Sequence, residues 1–314
     1  MTESEREITE LPPGDRHGAE AYTAVWNAVL PRYPITPDEL ERSRQRRSDD
    51  VRLVARLDWA VAGCGAAIRS DLPGRTYMGA VVLPEHRRRG LGRGLLERVV
   101  VAARGHGSEI LAAGLEEGDV DGEAFAERFG LREVLREVEV VRTLGADEAE
   151  PPSLPGIEVV PLEQRPDLLA STYDLVGATM PEMPLHAPFT MPAYERWLEE
   201  DATGDDVIAG GTLVALDEGQ VVGFAGLVRR AADPHLAEHG FTGVAATHRG
   251  RGIATLLKRS QIAWAARAGY RELMTATQFA NAPMRAINDR LGYEAQPAWI
   301  RVEAPLEEIE SALR

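Results

Sequence analysis

The chain states one passage twice. Residues 86–92 read His-Arg-Arg-Arg-Gly-Leu-Gly, and residues 248–254, lying 162 positions later, read His-Arg-Gly-Arg-Gly-Ile-Ala. Forty residues beyond Gly90 and Gly252 stands a second shared landmark, Phe129-Gly130-Leu131 in one case and Leu291-Gly292-Tyr293 in the other. Upstream, Leu57-Asp58, Val61-Ala62-Gly63 and Arg69 match Leu216-Asp217, Val221-Val222-Gly223 and Arg229 at an offset of 159 to 160. Two unrelated Gly/Arg-rich stretches do not share landmarks on both sides. A repeat this long is a whole domain, not a solenoid unit, so the chain is constrained to build one fold twice.

The 314 residues suit two domains, each able to bury its own core. The stretch Gly145–Gly156 combines acidic residues with three prolines and cannot hold a helix or a central strand. We therefore expect an N-terminal domain over 1–145, a linker over 146–156 and a C-terminal domain over 157–314.

Within each half the patterns run in one order. A helical region (Ala19–Leu30; Asp167–Met180) precedes a hairpin (Val51–Ile68; Thr212–Val228) and a strand that ends at the repeated loop (Tyr77–Leu83; Phe241–Ala245). A helix starts inside the loop, over Leu91–Ala103 and Ile253–Ala268, with Leu95, Leu96, Val99 and Val100 or Leu256, Leu257 and Ile262 as its apolar face. A strand (Ile110–Ala113; Glu272–Thr277) and a helix ending at Gly130 or Gly292 follow, and Val134–Arg142 reads as the strand that closes the first half. Such mixed ordering predicts α/β or α+β domains.

Composition narrows the function. A net charge of −15 disfavours nucleic acid, whose phosphates need clustered Lys and Arg. No apolar run reaches the length of a membrane span, and Met1–Asp15 is acidic and polar, so no membrane partner and a cytoplasmic location are expected. One cysteine, Cys64, leaves no internal disulfide and no multi-thiolate metal site; it reads as a small buried residue. The run Arg42–Arg47 reads as a solvated helix face.

A strand, a short Gly/Arg loop and a helix form the geometry that binds phosphate: unpaired amides and the helix dipole meet at the helix start. Neither copy is a P-loop, which needs Gly-Lys-Ser/Thr at its end, nor a dinucleotide fingerprint: in the first the third glycine, Gly94, is wrongly spaced, and the second has Ala254 in place of a glycine.

Arg87-x-x-Gly90-x-Gly92 and Arg249-x-x-Gly252-x-Ala254 both match Gln/Arg-x-x-Gly-x-Gly/Ala, and the passage thereby resembles the acetyl-CoA diphosphate loop of the GCN5-related N-acetyltransferases. Val82–His86 and the passage Asn281–Tyr293 are similar to that family as well, so the resemblance covers nearly the whole chain in two copies. It implies two tandem domains, each a mixed, mostly antiparallel sheet flanked by helices, with a V-shaped split between two central strands. It further implies acetyl-CoA as cofactor, with pantetheine along Ala80, Val81 and Val82 or Thr242, Gly243 and Val244. The diphosphate would rest on Arg87, Arg88, Arg89, Gly90, Leu91 and Gly92, or on Arg249, Gly250, Arg251, Gly252, Ile253 and Ala254, with Asn281 bonding the cofactor. The implied reaction is direct attack of a small-molecule primary amine on the thioester, with no metal, by a monomer or homodimer. A non-catalytic acyl-CoA-binding protein and a protein or peptide acetyltransferase are the alternatives.

The halves differ at the later motif: Asp119 stands opposite Asn281 and Ala126 opposite Asn288, where family members often carry Asn and then Tyr. The C-terminal half is therefore expected to be catalytic, and the N-terminal half to bind acetyl-CoA without turnover or to be purely structural. Asn288 stands in the place of the acid, Tyr293 is a second candidate by chemistry, and Glu238 and His239 are candidates for the base. The Pro/Met-rich Met180–Pro192 segment reads as a substrate-covering loop or as an ordered interface loop.

Overall fold

The computed structural model describes residues 5–47, 49–70, 72–184 and 190–314. The chain divides into two compact units, Met1–Leu135 with Trp299–Arg314, and Arg136–Ala298. The cut runs through a strand, not through the Pro-rich passage.

The first unit contains β1 (Arg6–Glu10), α1 (Arg16–Val29), α2 (Pro37–Arg46), β2 (Val51–Leu57), β3 (Ala60–Arg69) and β4 (Arg75–Val82). Then come α3 (Leu91–Gly105), β5 (Ile110–Glu116), α4 (Val120–Arg128) and the start of β6 (Arg132–Thr143). The second unit takes the rest of β6, then β7 (Ile157–Pro161), α5 (Leu169–Thr179), α6 (Tyr194–Trp197), β8 (Leu213–Asp217), β9 (Gln220–Arg230) and β10 (Asp233–Val244). It ends with α7 (Ile253–Arg267), β11 (Glu272–Gln278), α8 (Ala282–Arg290) and β12 (Glu294–Ala295); β13 (Trp299–Pro305) and α9 (Leu306–Leu313) return to the first unit.

The strand order is β1-β2-β3-β4-β5-β13 in the first unit and β6-β11-β10-β9-β8-β7 in the second, with β12 on β6. Only β4·β5 and β10·β11 are parallel pairs among the described ladders.

The closing strands are exchanged. Val134–Arg142 is a strand, but it closes the second unit: Glu272 pairs with Thr143 through to Gln278 with Glu137. The first unit is closed by β13, from Trp299 opposite Glu116 to Pro305 opposite Ile110. An alternating pattern specifies that a segment is a strand and which face is buried, but not which sheet it joins. Hence the expected split at 145/157 marks the sequence repeat, while the compact units cut at Leu135 and Ala298.

Local chemistry accounts for the repeated elements. Both hairpins turn on two residues of positive φ, Asp58 (49°) with Trp59 (71°) and Glu218 (48°) with Gly219 (79°), the requirement of a tight turn matching strand twist. In β8 the buried run alternates faces: Val214 and Leu216 pack with α5 residues Leu175 and Val176, while Leu213 and Ala215 pack with α7 residues Ile253 and Leu257. In the first unit, α3 lays Leu95, Leu96 and Val99 against Leu53 and Met78, and α1 covers the other face through Tyr22 and Val25 against Val54 and Cys64. Cys64 is fully buried, and burial raises its thiol pKa far above the usual range. Trp197 is a core residue of the second unit.

The arginine run 42–47 is not wholly solvated. Arg44 is buried on α2 and donates to the carbonyls of Leu11 (2.6 Å) and Pro12 (3.0 Å), so its guanidinium stitches the chain entering α1 to α2. Among the described residues, no helix is long and apolar enough to cross a membrane.

Candidate functional site

The two repeated loops fold alike. Leu83 N–H bonds Ala62 O and Ala245 N–H bonds Val222 O, each at 2.9 Å. Arg87 Nε donates back to Val82 O and Arg249 Nε to Val244 O, each at 3.1 Å. Arg88 (φ 61°) and Gly250 (75°) occupy one left-handed position; Gly90 (84°) and Gly252 (85°) occupy the next and begin the helices. A side chain at either glycine is strained by backbone conformation alone.

These helix starts share a left-handed glycine at the cap position; α5, α6 and α9 also lack a side-chain cap but start on Leu168, Ala193 and Pro305. Asp15 caps α1, Thr36 caps α2 with a reciprocal Glu39 bond, Asp119 caps α4 and Asn281 caps α8, each through a side-chain oxygen on a backbone N–H. Helices α3 and α7 begin on glycine with no side-chain cap. Their first amides are left for an anion, with the positive end of the dipole behind them. Gly92 faces the Phe125 ring, where a side-chain carbon would stand 3.2 Å from the nearest ring atom, a tight fit.

The strands before the loops part from their parallel neighbours. Pairing of β4 with β5 runs from Arg75–Ile110 to Met78–Ala113, and pairing of β10 with β11 from Leu236–Glu272 to Glu238–Met274. The residues that follow, Ala80–Val82 and Thr242–Val244, keep their outer partners on β3 and β9 and, among the described residues, have no strand partner on the other side. This is the expected V-shaped split, present in each unit. In the first unit a cavity of about 460 Å³ follows it, walled by Trp26, Tyr77, Phe125 and Trp299 and reaching Arg87 and Gly90.

The loop arginines are not bare. Arg87 and Arg88 grip the two oxygens of Asp121 at 2.8 and 2.7 Å, and these bonds hold the Asp121 carboxyl below the usual carboxylate range. Arg89 is exposed. In the second unit Arg249 pairs with Glu182, and Arg251 and His248 meet Asp217 at 2.9 and 3.2 Å, holding that carboxyl low, Arg251 foremost.

The four candidate catalytic residues fall into two settings. Glu238 lies within β10, half-buried, paired with Arg230 at 2.8 Å. His239, Asn288 and Tyr293 are buried. His239 Nδ1 lies 2.8 Å from Gln261 Oε1, and its Nε2 meets the Tyr293 hydroxyl. Gln261 Nε2 donates to the carbonyls of Gly211, Ala225 and Gly226 at 2.9–3.0 Å, which fixes Oε1 as the acceptor. His239 therefore donates from Nδ1 and accepts the Tyr293 O–H at Nε2, as a neutral ring. Burial pushes its pKa well below 6.5, with the Lys258 charge adding to the effect. Lys258, 1% exposed, has no hydrogen-bond partner at Nζ among the described residues and lies 5.5 Å from the Tyr293 ring centroid; burial brings its pKa down to about 7.

Sequence reasoning missed Gln261 and Lys258, which sit on the apolar face of α7 at positions where its counterpart has Val99 and Leu96. Comparing the halves position by position exposes both. Asn281 occupies the predicted place at the head of α8, with Oδ1 turned to Met284 N–H. Within Met180–Pro192, residues 185–189 lie outside the described residues.

The model of the Acetyltransferase (GNAT) family matches residues 19–131 and again 170–293. A mycothiol acetyltransferase from Saccharomonospora viridis is 28% identical over 248 residues, covering 72% of this chain and 74% of that one. A GCN5-related N-acetyltransferase from Sphaerobacter thermophilus has the same fold at 20% identity, with a TM-score of 0.77 and 96% of each chain covered. A tandem GNAT protein from the clavulanic acid biosynthesis pathway aligns with a TM-score of 0.77 at 21% identity, over 96% of this chain and 99% of that one.

Proposed function

The chain belongs to the Acetyltransferase (GNAT) family, and from that premise we propose that it moves an acetyl group from acetyl-CoA to a primary amine of a small molecule, using the second unit as catalyst. The observation that carries this reading is the uncapped helix start at Gly252 at the mouth of a split strand pair. An orphaned buried hydroxyl, Thr242 Oγ1, lies on that strand and fits a polar chain laid along it. The relative named mycothiol acetyltransferase supports acetyl transfer to a small molecule.

Bound acetyl-CoA would supply the acetyl thioester. The amides at Gly252, Ile253 and Ala254 hold its diphosphate, with Arg249 and Arg251 beside them. Thr242, Gly243 and Val244 offer their free strand edge to the pantetheine amides. Of the two strands that lead into the loops, β10 alone is bulged there: its register with β9 shifts between His239 and Thr242, whereas β4 runs unbroken on β3. A bulge re-aims backbone amides, and we assign the bulge N–H groups to the carbonyl oxygen that gains charge as the amine attacks. Of the four candidates, Glu238 alone is not fully buried; it stands at the last β10 residue paired with β11 before the split, and we assign its carboxylate, held by Arg230, to the amine proton, directly or through water. Tyr293 and His239 support the strand from behind, and Asn288 lies buried on α8.

The first unit shares the loop and the split and has an apolar cavity on them, so we infer that it binds acetyl-CoA through Ala80–Val82 and Arg87–Gly92 without turning it over. A monomer or homodimer in the cytoplasm is the matching setting for such an enzyme. The test is thiol release from acetyl-CoA with a panel of small primary amines, peptides as competitors and calorimetric CoA titration. Amine-dependent thiol release is expected; CoA binding without any would make the chain a non-catalytic binder.

A further inference from the structure

The bulge in β10 has a dedicated polar support. Gly240 and Phe241 together face Gly226: His239 pairs with Leu227 and Thr242 with Ala225, leaving one β9 residue opposite two. Gly240 and Gly226 touch backbone to backbone, 3.6–3.8 Å from where side-chain carbons would stand. Into this point α7 sends Gln261, fully buried. Its amide donates to Ala225 O and Gly226 O, the residues that flank and face the bulge, and its oxygen takes the Nδ1 proton of His239, where the bulge begins. Tyr293, beyond α8, closes the chain on His239 Nε2.

The first unit builds the same place from hydrocarbon. At the offset of the repeated loop, Lys258, Gln261, Asn288 and Tyr293 correspond to Leu96, Val99, Ala126 and Leu131, all buried in one apolar core. That unit has no shift between β3 and β4. Burying polar groups costs stability unless they are paired, and within this one chain the aliphatic version demonstrably fills the same fold. Network and bulge occur together in one unit and are both missing from the other.

We propose that Gln261, with His239 and Tyr293, is a positioning device that holds the β10 bulge in the conformation needed for acetyl transfer. Gln261 does not touch the reacting atoms; it acts through the backbone of residues 239–242. This rests on the reading that the second unit is the catalyst.

The test compares wild type with Gln261→Val, which installs the first unit's residue, and with Gln261→Glu, which keeps the length and an acceptor for His239 but loses the amide donor. Hydrogen exchange of the Gly240–Gly243 amides, CoA affinity, and kcat and KM are read together. Gln261→Val is expected to speed exchange at the bulge at least ten-fold, leave exchange in the first unit unchanged, and lower kcat at least ten-fold with KM for acetyl-CoA within three-fold. Gln261→Glu should show the same pattern to a smaller degree. Unchanged bulge exchange in either folded variant overturns the proposal. So does faster exchange with kcat unchanged, since the network would then be structural only. If both variants lose their fold, Tyr293→Phe replaces them: removing one hydroxyl must raise bulge exchange, and failure to do so also overturns it. If wild type transfers no acetyl group while bulge exchange still responds, the acetyltransferase reading fails and with it the catalytic half of this proposal, but the support of the bulge stands.

Discussion

The two loops are near copies and the two interiors behind them are not. Arg87 and Arg249 make the same back-bond at the same distance, and Gly90 and Gly252 share φ to within a degree. Behind the first loop the core is Leu96, Val99 and Leu131; behind the second it is Lys258, Gln261 and Tyr293. Anion binding at a helix start needs only backbone amides, so duplication preserves it under almost any core. Directing a strand's amides needs a particular backbone shape, and that shape carries side-chain requirements. Retained loop geometry with a diverged interior is what the proposed function requires of one unit that holds a ligand and one that also works on it.

The sharpest way to break this comparison is a pair of substitutions. Gly90→Asp and Gly252→Asp carry the same left-handed strain, at φ 84° and 85°, so their stability costs largely cancel. Each sets a carboxylate where a diphosphate would sit. Gly252→Asp is expected to lower acetyl transfer more than 100-fold and to abolish CoA binding in the second unit. Gly90→Asp should leave more than half of the turnover, removing only one binding equivalent in calorimetry and any stabilisation that CoA confers on the first unit. The reverse pattern would transfer catalysis to the first unit, where the 460 Å³ cavity lies; no effect from either would leave both loops without a cofactor role.

Much of this was legible in sequence because the signals are local. Helix starts at Leu91 and Ile253, the hairpins within Val51–Ile68 and Thr212–Val228, and the loop itself depend on neighbours within a few residues. The exchanged strands were not legible, since β6 shows a strand pattern whichever sheet receives it. The edge strand Arg6–Glu10 was hidden by its charged, polar residues, and β13 lay beyond the last landmark although Ile300, Val302 and Ala304 alternate inward. Gln261 and Lys258 were hidden because polar residues at apolar spacing read as a helix's solvent side; only the partner across 22 residues, His239, explains Gln261. Asp119 and Asn281 aligned as predicted, and the fold uses both as helix caps.

A second test addresses the cost of the polar interior. Lys258 faces the Tyr293 ring and lies near His239, with Arg142 and Glu148 further along at Tyr293. Burial lowers its pKa from 10.5 to about 7. Between those values the unfolded chain holds the proton and the folded chain does not, so this group makes stability rise with pH through that window, and its full penalty applies below about pH 7. Lys258→Leu, the residue type of the first unit, should therefore stabilise the protein by about 1–3 kcal/mol in mild acid. Its advantage in melting temperature should shrink steadily towards pH 10. An advantage independent of pH would mean that Lys258 does not titrate in that window.

The smallest effect concerns the first loop. Asp121 neutralises Arg87 and Arg88, and its counterpart at the loop offset is Pro283, so the second unit has no carboxylate at that point. If the first unit is a binder, this carboxylate competes with the diphosphate for the two guanidinium groups. Asp121→Asn removes the charge while keeping the shape, and in a Gly252→Asp background calorimetry reads the first site alone. CoA affinity there should rise about two- to five-fold, the range of exposed ion pairs. The gain should fade in high salt, because screening weakens exposed pairs most. Affinity that falls instead would show Asp121 organising the loop, with Arg88 depending on that pair to hold its left-handed conformation at φ 61°. The two loops would then be alike in backbone but not in how their arginines are set for an anion.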